Sequence, residues 1–253
     1  MNVVPLFKSH YSIGRSILTL EDPDDSANRP KSMIDIALKA GLDKLFLVDE
    51  SMSGFLQAHK GCQKHGLQLN FGLRLTVCPD ISIKDSESLQ KSCKYIVFSK
   101  NVWGYKRLIK IFSEAAKDGF YYEPRVDFAL LKRNWDEKDL MLAVPFYDSF
   151  LHNNITSYSM CVPDFSFARP TFFVEDSNLP FDTLIKNRLD EYCSGKYETV
   201  KARSVYYSQR SDFKTYLTFR CINKRTLLSK PNIEHMSSNS FCLEAWKEQN
   251  DAK

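Results

Sequence analysis

The chain has 253 residues, of which 43% are hydrophobic and 26% are charged, and its formal net charge is +4 at pH 7. A chain of this size can bury a substantial core, and α/β barrels often occupy this length as one domain. The seven cysteines are odd in number and include no Cys-x-x-Cys pair, which argues against a disulfide framework and a zinc ribbon. No apolar run approaches about 18 residues, so we expect neither a signal peptide nor a membrane span. Reduced thiols then favour a cytoplasmic location.

Short apolar runs alternate along the chain with amphipathic stretches. After a first strand near the N-terminus, the predicted strands are Lys44–Val48, Leu67–Val77 with a break at Gly72, Tyr95–Phe98, Leu140–Pro145, Thr171–Glu175 and Glu198–Tyr206. The predicted helices are Ser32–Ala40, Phe55–His65, Val102–Lys117, Phe181–Tyr192 and Arg210–Leu228, and residues 152–170 are predicted to form a loop. This alternation is typical of a parallel α/β architecture.

Asp49 and Glu50 are the strongest acidic candidates, because they follow a buried strand. Two carboxylates there suit a hard cation or a general base, although adjacent strand residues point to opposite faces. Alternatively, one of them caps the next helix or pairs with a basic residue. His10 follows the first strand, and loops at strand ends gather catalytic groups in barrels. The sequence contains no nucleophile elbow and no glycine-rich phosphate loop.

Basic and tyrosine residues interleave between Lys196 and Lys230. Such a pattern is compatible with contact to a nucleic-acid backbone, with an acidic protein surface, or with ordinary solvated faces of a strand and a helix. The candidate contact residues are Arg203, Arg210, Lys214, Arg220, Lys224 and Arg225.

Several segments resemble one known family nearly end to end. They include FKSHYS (Phe7–Ser12), SKNVWGYKRLIKIFSEAAKDGFYYEPRVD (Ser99–Asp127) and SSNSFCL (Ser237–Leu243). They are similar to the PHP (polymerase and histidinol phosphatase) domain at the N-terminus of the alpha subunit of bacterial DNA polymerase III. The resemblance implies an α/β fold, a distorted seven-stranded, TIM-like β/α barrel, with a single domain over residues 1–247 and a short polar tail at 248–253.

The resemblance also implies a metal cluster that hydrolyses phosphoesters in active members, but most ligand positions of this chain carry unsuitable residues. Those positions fall on Leu6, Lys8, Glu50, Arg74, Phe146, Ser204 and Tyr206. Asp49 alone matches the family pattern. Lys8 and Arg74 bring positive charge to where cations would bind, and we expect such a cation to hold Asp49 or Glu50 in an ion pair. The expected cofactor is therefore none, and the alternative is Zn, Mn or Mg.

These features lead to one principal hypothesis and two alternatives. The principal hypothesis is a catalytically degenerate PHP domain that serves as an interaction or scaffolding module in DNA replication, for a DNA polymerase or another replisome protein. DNA is a further candidate partner, no membrane partner is expected, and a phage or mobile-element origin is compatible. The first alternative is a metal-dependent phosphoesterase or 3′–5′ exonuclease that uses His10, Asp49 and Glu50. The second is a decoy that inhibits a host replication protein.

Overall fold

The computed structural model describes residues 3–23, 30–157, 159–229 and 238–251. The strands are β1 (Val4–Phe7), β2 (Lys44–Asp49), β3 (Gln68–Val77), β4 (Cys93–Ser99), β5 (Arg125–Val126), β6 (Leu140–Val144), β7 (Thr171–Val174) and β8 (Glu198–Val205). The helices are α1 (Met33–Lys39), α2 (Phe55–His65), α3 (Ser86–Gln90), α4 (Val102–Lys117), α5 (Phe128–Asn134), α6 (Phe150–Thr156), α7 (Asp182–Cys193), α8 (Phe213–Lys224) and α9 (Leu243–Asp251). A short 3₁₀ turn, Arg210–Asp212, precedes α8.

The strands form one sheet whose hydrogen-bonded order returns to its start. The order is β2-β1-β8-β7-β6-β4-β3-β5, and β2 also pairs with β3. Seven strands therefore form a closed cycle, and β5 is added to β3. This order, with helices between the strands, confirms the predicted seven-stranded α/β barrel.

The prediction of a parallel sheet is wrong for β4. This strand runs antiparallel to both of its neighbours, β3 and β6, whereas β1 is parallel to β2 and β8, and β6 is parallel to β7. The link between β3 and β4 contains only the five-residue α3. It lacks the longer helix that usually carries a parallel crossover, and an antiparallel pair needs none.

Two glycines explain why the Ser99–Asp127 segment has its sequence. Helix α4 begins at the Asn101 cap, whose side chain accepts a hydrogen bond from the Gly104 backbone N–H. A side chain at Gly104 would overlap the backbone carbonyl of Asp139, and one at Gly119 would overlap that of Arg125. Both positions therefore need glycine so that backbone segments can approach closely.

Four local predictions need correction. The predicted loop over 152–170 begins inside α6, which Ser149 caps by accepting a hydrogen bond from the His152 N–H. Strand β3 continues through Gly72 without a break, because the missing side chain leaves room for Phe98. The predicted helix over 210–228 starts as a 3₁₀ turn and ends at Arg225, whose φ is +54°.

The fourth correction concerns the C-terminus, where the predicted polar tail is helical through Asp251. Helix α9 is anchored to the residue before β1. The Trp246 indole N–H donates to the Val3 carbonyl (2.7 Å), and the Val3 N–H donates to the Asn250 side chain (3.1 Å). The polar composition of residues 248–253 predicts a tail, and it gives no sign of these long-range hydrogen bonds.

Contacts divide the chain into two compact units. The first unit comprises Met1–Phe71, Glu175–Asp182 and Lys201–Lys253, and the second comprises Gly72–Val174 and Thr183–Val200. The assignment of residues 1–247 to a single domain stays a prediction. Each unit is described separately below.

Candidate functional site

In the first unit, the carboxyl ends of three strands meet at one edge. Strand β1 is parallel to β2 and to β8, so residues that follow Phe7, Val48 and Val205 lie at the same end of the sheet. This edge places Lys8 after β1, Asp49 and Glu50 at the end of β2, and Tyr206 after β8. Ligands usually gather at this edge in α/β barrels. We call this group the strand-end cluster.

Asp49 is enclosed by the loop that follows β1. Its Oδ1 accepts hydrogen bonds from the Ser9 backbone N–H (2.9 Å) and the Ser12 hydroxyl (2.8 Å), and its Oδ2 accepts one from the Ser9 hydroxyl (2.5 Å). The residue is completely buried. Burial raises the pKa of Asp49, and the bonds from Ser9 and Ser12 oppose that rise. The carboxylate thus fixes the loop after β1, and its oxygens are committed to that task.

Glu50 is held by basic residues. The Lys8 ammonium lies 3.1 Å from Glu50 Oε1, and Arg15 Nε lies 3.5 Å from the same oxygen. The Lys8 side chain is 5% exposed and that of Glu50 is 26% exposed. A largely buried ammonium requires a partner of opposite charge, and Glu50 supplies it. The structure therefore contains the expected ion pair for Glu50, whereas the direct partners of Asp49 are serines rather than a cation.

The remaining positions of the first unit that the resemblance assigns to metal ligands carry core and hydrogen-bonding residues. Leu6 is buried and pairs in register with Phe46 and Ser204. The Ser204 N–H (2.7 Å) and hydroxyl (3.0 Å) both donate to Glu175, a buried carboxylate directly after β7. Tyr206 stacks on Phe241 with ring centroids 5.2 Å apart. These side chains are engaged in packing and internal hydrogen bonds.

In the second unit, Arg74 and Phe146 belong to one small cluster. The Arg74 guanidinium is buried and donates to the Tyr147 carbonyl (3.0 Å) and to Asp148 Oδ2 (2.8 Å). Asp148 has a φ of +61°, a conformation that aspartate tolerates better than most residues. Phe146 is fully buried and packs edge-on against the Tyr147 ring, with centroids 5.0 Å apart. Arg74 thus ties β3 to the segment that follows β6.

His10 lies in the loop after β1, beside Tyr11. The two ring centroids are 4.4 Å apart, and the His10 N–H donates to the Leu18 carbonyl at 2.8 Å. Its ring Nδ1 is buried and has no hydrogen-bond partner within the described part of the chain. The position is near the strand-end cluster in sequence, but among the described residues no hydrogen bond joins the His10 ring to Asp49 or Glu50.

Two of the basic surface candidates, Arg203 and Arg220, are buried, so the prediction is wrong for them. Arg203 is 7% exposed and Arg220 is 2% exposed, so neither presents a guanidinium to a nucleic acid. Arg203 donates to the Ser240 and Asp176 carbonyls and to Gln249. Arg220 lies on the buried face of α8, one turn after Tyr216.

The other basic candidates are more accessible. Lys214, Lys224 and Arg225 are exposed, and Arg210 pairs with Glu248 at 2.5 Å. Lys230, the end of the basic stretch, lies outside the described residues. The candidate basic surface is therefore smaller than the sequence suggests and lies around α8.

The family model for the PHP domain matches residues 23–152, about half of the chain. The chain belongs to the PHP domain family. A Treponema pallidum DNA polymerase III subunit alpha is 33% identical over 113 residues, which cover 44% of this chain and 10% of that protein. The corresponding Helicobacter pylori subunit is 28% identical over 111 residues, which cover 44% of this chain and 9% of that protein.

The chain therefore spans about a tenth of the length of the curated relatives that it matches. A solved structure from Bifidobacterium adolescentis, named as a candidate metal-dependent phosphoesterase, has a TM-score of 0.41 and 10% identity. That likeness covers 79% of this chain and 86% of the other, and it adds nothing to the family assignment. Among the helices of the described residues, none is long and apolar enough to cross a bilayer.

Within the described residues, the side chains at the positions that the resemblance assigns to metal ligands do not fit a cluster of the kind implied by the PHP family. Such clusters need converging histidine, cysteine or carboxylate ligands. Within residues 3–23, 30–157, 159–229 and 238–251, no group of three such side chains is arranged to hold a metal ion. At the strand-end cluster, the Lys8 ammonium already pairs with the Glu50 carboxylate, which is the group that a metal cation would need.

Sequence reasoning missed three residues of this PHP domain that shape the strand-end cluster. Ser9 and Ser12 enclose Asp49, and Glu175 binds Ser204. Glu175 carried a usable signal, because it is an acid at the end of a predicted strand. Ser9 and Ser12 carried a weaker one, since small hydroxyl residues are common in any loop.

Proposed function

We propose that this PHP domain is catalytically inactive and acts as a protein-interaction module for a DNA polymerase. The observation that carries the proposal is the strand-end cluster, in which Lys8 neutralises Glu50 and two serines enclose Asp49. When the positions expected to bind metal serve internal contacts instead, the fold can still present a binding surface although it has lost its catalytic site. The polymerase partner is suggested by the relatives, which are named as DNA polymerase III subunit alpha.

The phosphoesterase alternative, with His10, Asp49 and Glu50 as its site, is less well supported by this geometry. Binding a cation there would require Glu50 to leave Lys8 and Arg15. It would also require Asp49 to give up hydrogen bonds that hold the loop after β1. Lys8 would then face the incoming cation with a largely buried like charge, which is strongly unfavourable. No contact favours the decoy alternative over the interaction module.

A mixed apolar and basic surface beside α8 suits a protein partner. Ile222 and Leu227 are 70% and 61% exposed, and Lys224 and Arg225 lie between them in sequence. Ile13, 72% exposed, adjoins this surface because Gly14 packs directly against the Asn223 side chain. Adjacent exposed apolar side chains with basic neighbours are typical of interaction surfaces. We call Ile13, Ile222, Lys224, Arg225 and Leu227 the α8 surface.

Catalytic inactivity is tested with purified protein and added Mg²⁺, Mn²⁺ or Zn²⁺. We expect hydrolysis of nitrophenyl phosphate and of single-stranded DNA to be the same for the wild type and for Asp49→Asn. Metal-dependent hydrolysis by the wild type that the Asp49→Asn variant loses would overturn the proposal and favour the phosphoesterase.

The partner is tested by co-purification from the native cells, with a family C DNA polymerase identified by mass spectrometry. We expect the wild type to retain the polymerase and Ile222→Glu to lose it. Ile109→Glu is the matched control, because Ile109 is an exposed isoleucine on a helix of the second unit, α4. Failure of the wild type to retain any polymerase would contradict the proposed partner. Equal retention of the polymerase by Ile222→Glu would show that the α8 surface is not the binding site.

A further inference from the structure

Helix α4 of the second unit carries a stripe of positive charge on its exposed side. Its exposed lysines are Lys106, Lys110 and Lys117. They are four and seven residues apart, and these spacings place all three on one side of a helix. Glu114 is the only acid of the helix, and Arg133 holds it in an ion pair. Asp118, directly after the helix, lies 3.9 Å from Lys117, but the two side chains are 55% and 83% exposed, so solvent screens their pairing.

An exposed indole ring lies at the N-terminal end of this stripe. The Trp103 side chain is 64% exposed, and the Lys106 ammonium lies 4.3 Å from its ring centroid, within the range of a cation–π contact. The backbone beneath it is fixed, because the Asn101 side chain caps the helix and Gly104 packs closely against the Asp139 carbonyl. The first turn of α4 thus offers a flat apolar surface and a positive charge side by side.

Two further aromatic rings follow the C-terminal end of the helix. Phe120 is 51% exposed and Tyr122 is 80% exposed. Tyr122 has a φ of +62°, which is unfavourable for a bulky residue, and such conformations are concentrated at functional sites. The turn is held by the buried Arg125, whose Nε donates to the Gly119 carbonyl (3.2 Å) and whose guanidinium lies 5.1 Å from the Tyr121 ring centroid. The exposed rings therefore stand on a braced turn.

We propose that this surface binds single-stranded nucleic acid, with phosphates along the lysines and bases stacked on the aromatic rings. Lysines neutralise phosphates, and aromatic rings stack on any base because every base has a π-face. The 16 residues of α4 extend about 24 Å, so the rings at its two ends leave room for several nucleotides beside the lysines. An acidic peptide would satisfy the lysines, but it has no bases to stack on the rings. We call these residues the α4 track: Trp103, Lys106, Lys110, Lys117, Phe120 and Tyr122.

The α4 track differs from the nucleic-acid candidates that the sequence suggests. Those candidates lie between Lys196 and Lys230, and the ones that remain exposed lie around α8 in the first unit. The α4 track belongs to the second unit and lies on another helix. The inference does not rest on the proposed function, because it involves neither a polymerase nor the strand-end cluster.

The charge of the α4 track is tested by fluorescence anisotropy with the purified full-length protein and labelled oligothymidylate or oligouridylate. We expect binding to weaken as salt is added. In the triple variant Lys106→Gln, Lys110→Gln, Lys117→Gln, the slope of log affinity against log salt should be smaller by about 2, because each phosphate contact of a single strand contributes about 0.7. The matched control replaces three exposed lysines elsewhere, Lys44, Lys60 and Lys186, by glutamine and removes the same charge. It should retain the wild-type slope.

Stacking is tested with variants at the two ends of the α4 track. Trp103→Ala should weaken binding about tenfold, and Trp103→Phe should recover most of the loss, because a phenyl ring still stacks. Tyr122→Gly should also weaken binding, although its Tm should not fall, since glycine adopts a positive φ readily. Loss of affinity without loss of Tm separates a binding role for Tyr122 from a structural one.

Four results would overturn the proposal. Wild-type protein that binds neither oligonucleotide at low salt does so whatever the variants show. Equal slopes for the two triple variants would mean that the charge of the α4 track is not used. Equal affinity for duplex DNA would mean that the rings do not stack on bases. Binding to vesicles of anionic phospholipid, with none to either oligonucleotide, would assign the surface to a membrane.

Discussion

Replacing Asp49 by alanine and by asparagine distinguishes a carboxylate that holds a loop from one that serves chemistry. Alanine removes the acceptor for the Ser9 N–H, which is fixed in the backbone and cannot turn to another partner. Leaving that donor buried costs about 1–3 kcal/mol, and losing the two serine hydroxyl bonds costs about 0.5–1.5 kcal/mol each. The free energy of unfolding should therefore fall by about 2–6 kcal/mol in Asp49→Ala.

Asparagine should be much less harmful. Its oxygen can accept from the Ser9 N–H and the Ser12 hydroxyl, as Oδ1 of Asp49 does. Its amide N–H can donate to the Ser9 hydroxyl, which turns to accept. We expect a loss of at most about 1.5 kcal/mol, the contribution of one hydrogen bond. Urea unfolding of the two variants at pH 7 measures both values.

The pH dependence of the free energy of unfolding shows whether ionisation of Asp49 stabilises or destabilises the folded state. Burial raises the folded-state pKa of Asp49 above its ordinary value of 3.8. The native state therefore holds the proton more tightly, and this contribution is fully present below about pH 3.8 and is lost as the pH rises through the folded-state pKa. Because asparagine does not titrate, the stability of the wild type minus that of Asp49→Asn should fall from pH 4 towards neutrality.

Two results would refute this interpretation of Asp49. One is an asparagine variant as unstable as the alanine variant, which would mean that the negative charge itself stabilises the loop. The other is a stability difference between wild type and Asp49→Asn that grows as the pH rises, which would mean that the folded-state pKa is lowered.

Three further predictions concern the scaffold. Gly104→Ala should lower the free energy of unfolding by about 1–3 kcal/mol in urea unfolding, because the new Cβ overlaps the Asp139 carbonyl. Arg125→Met should lower the free energy of unfolding by about 3 kcal/mol or more. The buried guanidinium donates to the Gly119, Ile81 and Ile83 carbonyls and to the Ser88 hydroxyl, and all four acceptors lose this partner. A decrease of less than about 1 kcal/mol, the contribution of one ordinary hydrogen bond, would contradict this prediction. In differential scanning calorimetry, Arg203→Ala should lower the Tm clearly, because it removes a buried guanidinium. Arg210→Ala removes an exposed ion pair and should leave the Tm nearly unchanged. Equal shifts of the Tm would contradict the assignment of Arg203 to the interior.

Periodicity identified the elements of the barrel but not the direction of every strand. Helix α4 was predicted with its observed bounds from its recurring apolar positions, and the structure adds that Asn101 caps its start. Strand β4 was found as an apolar run, but an apolar run has the same pattern in either direction. Its antiparallel placement depends on pairing with the preceding strand β3 and with β6, which lies more than 40 residues later in the chain. Long-range pairing of this kind is not encoded in local hydrophobicity.

The basic stretch between Lys196 and Lys230 shows that charge alone does not tell whether a residue is exposed. Arg203 and Arg220 were counted with the exposed lysines because they share their charge and their tyrosine neighbours. Arg220 lies four residues after the buried Tyr216, and residues four apart share a helix face. That spacing was visible in the sequence and should have placed Arg220 inside. No similar signal existed for Arg203, whose carbonyl partners come from Asp176 and Ser240.

Two buried basic residues of this PHP domain are each paired with an acidic residue. Lys8 is tolerated in the interior of the first unit because Glu50 balances its charge, and Arg74 is tolerated in the second because Asp148 does the same. Replacing Lys8 alone, as in Lys8→His, would remove the ammonium that lies 3.1 Å from Glu50, while Asp49 would stay enclosed by its serines. A change at Lys8 should affect the stability of the loop after β1 without creating metal affinity.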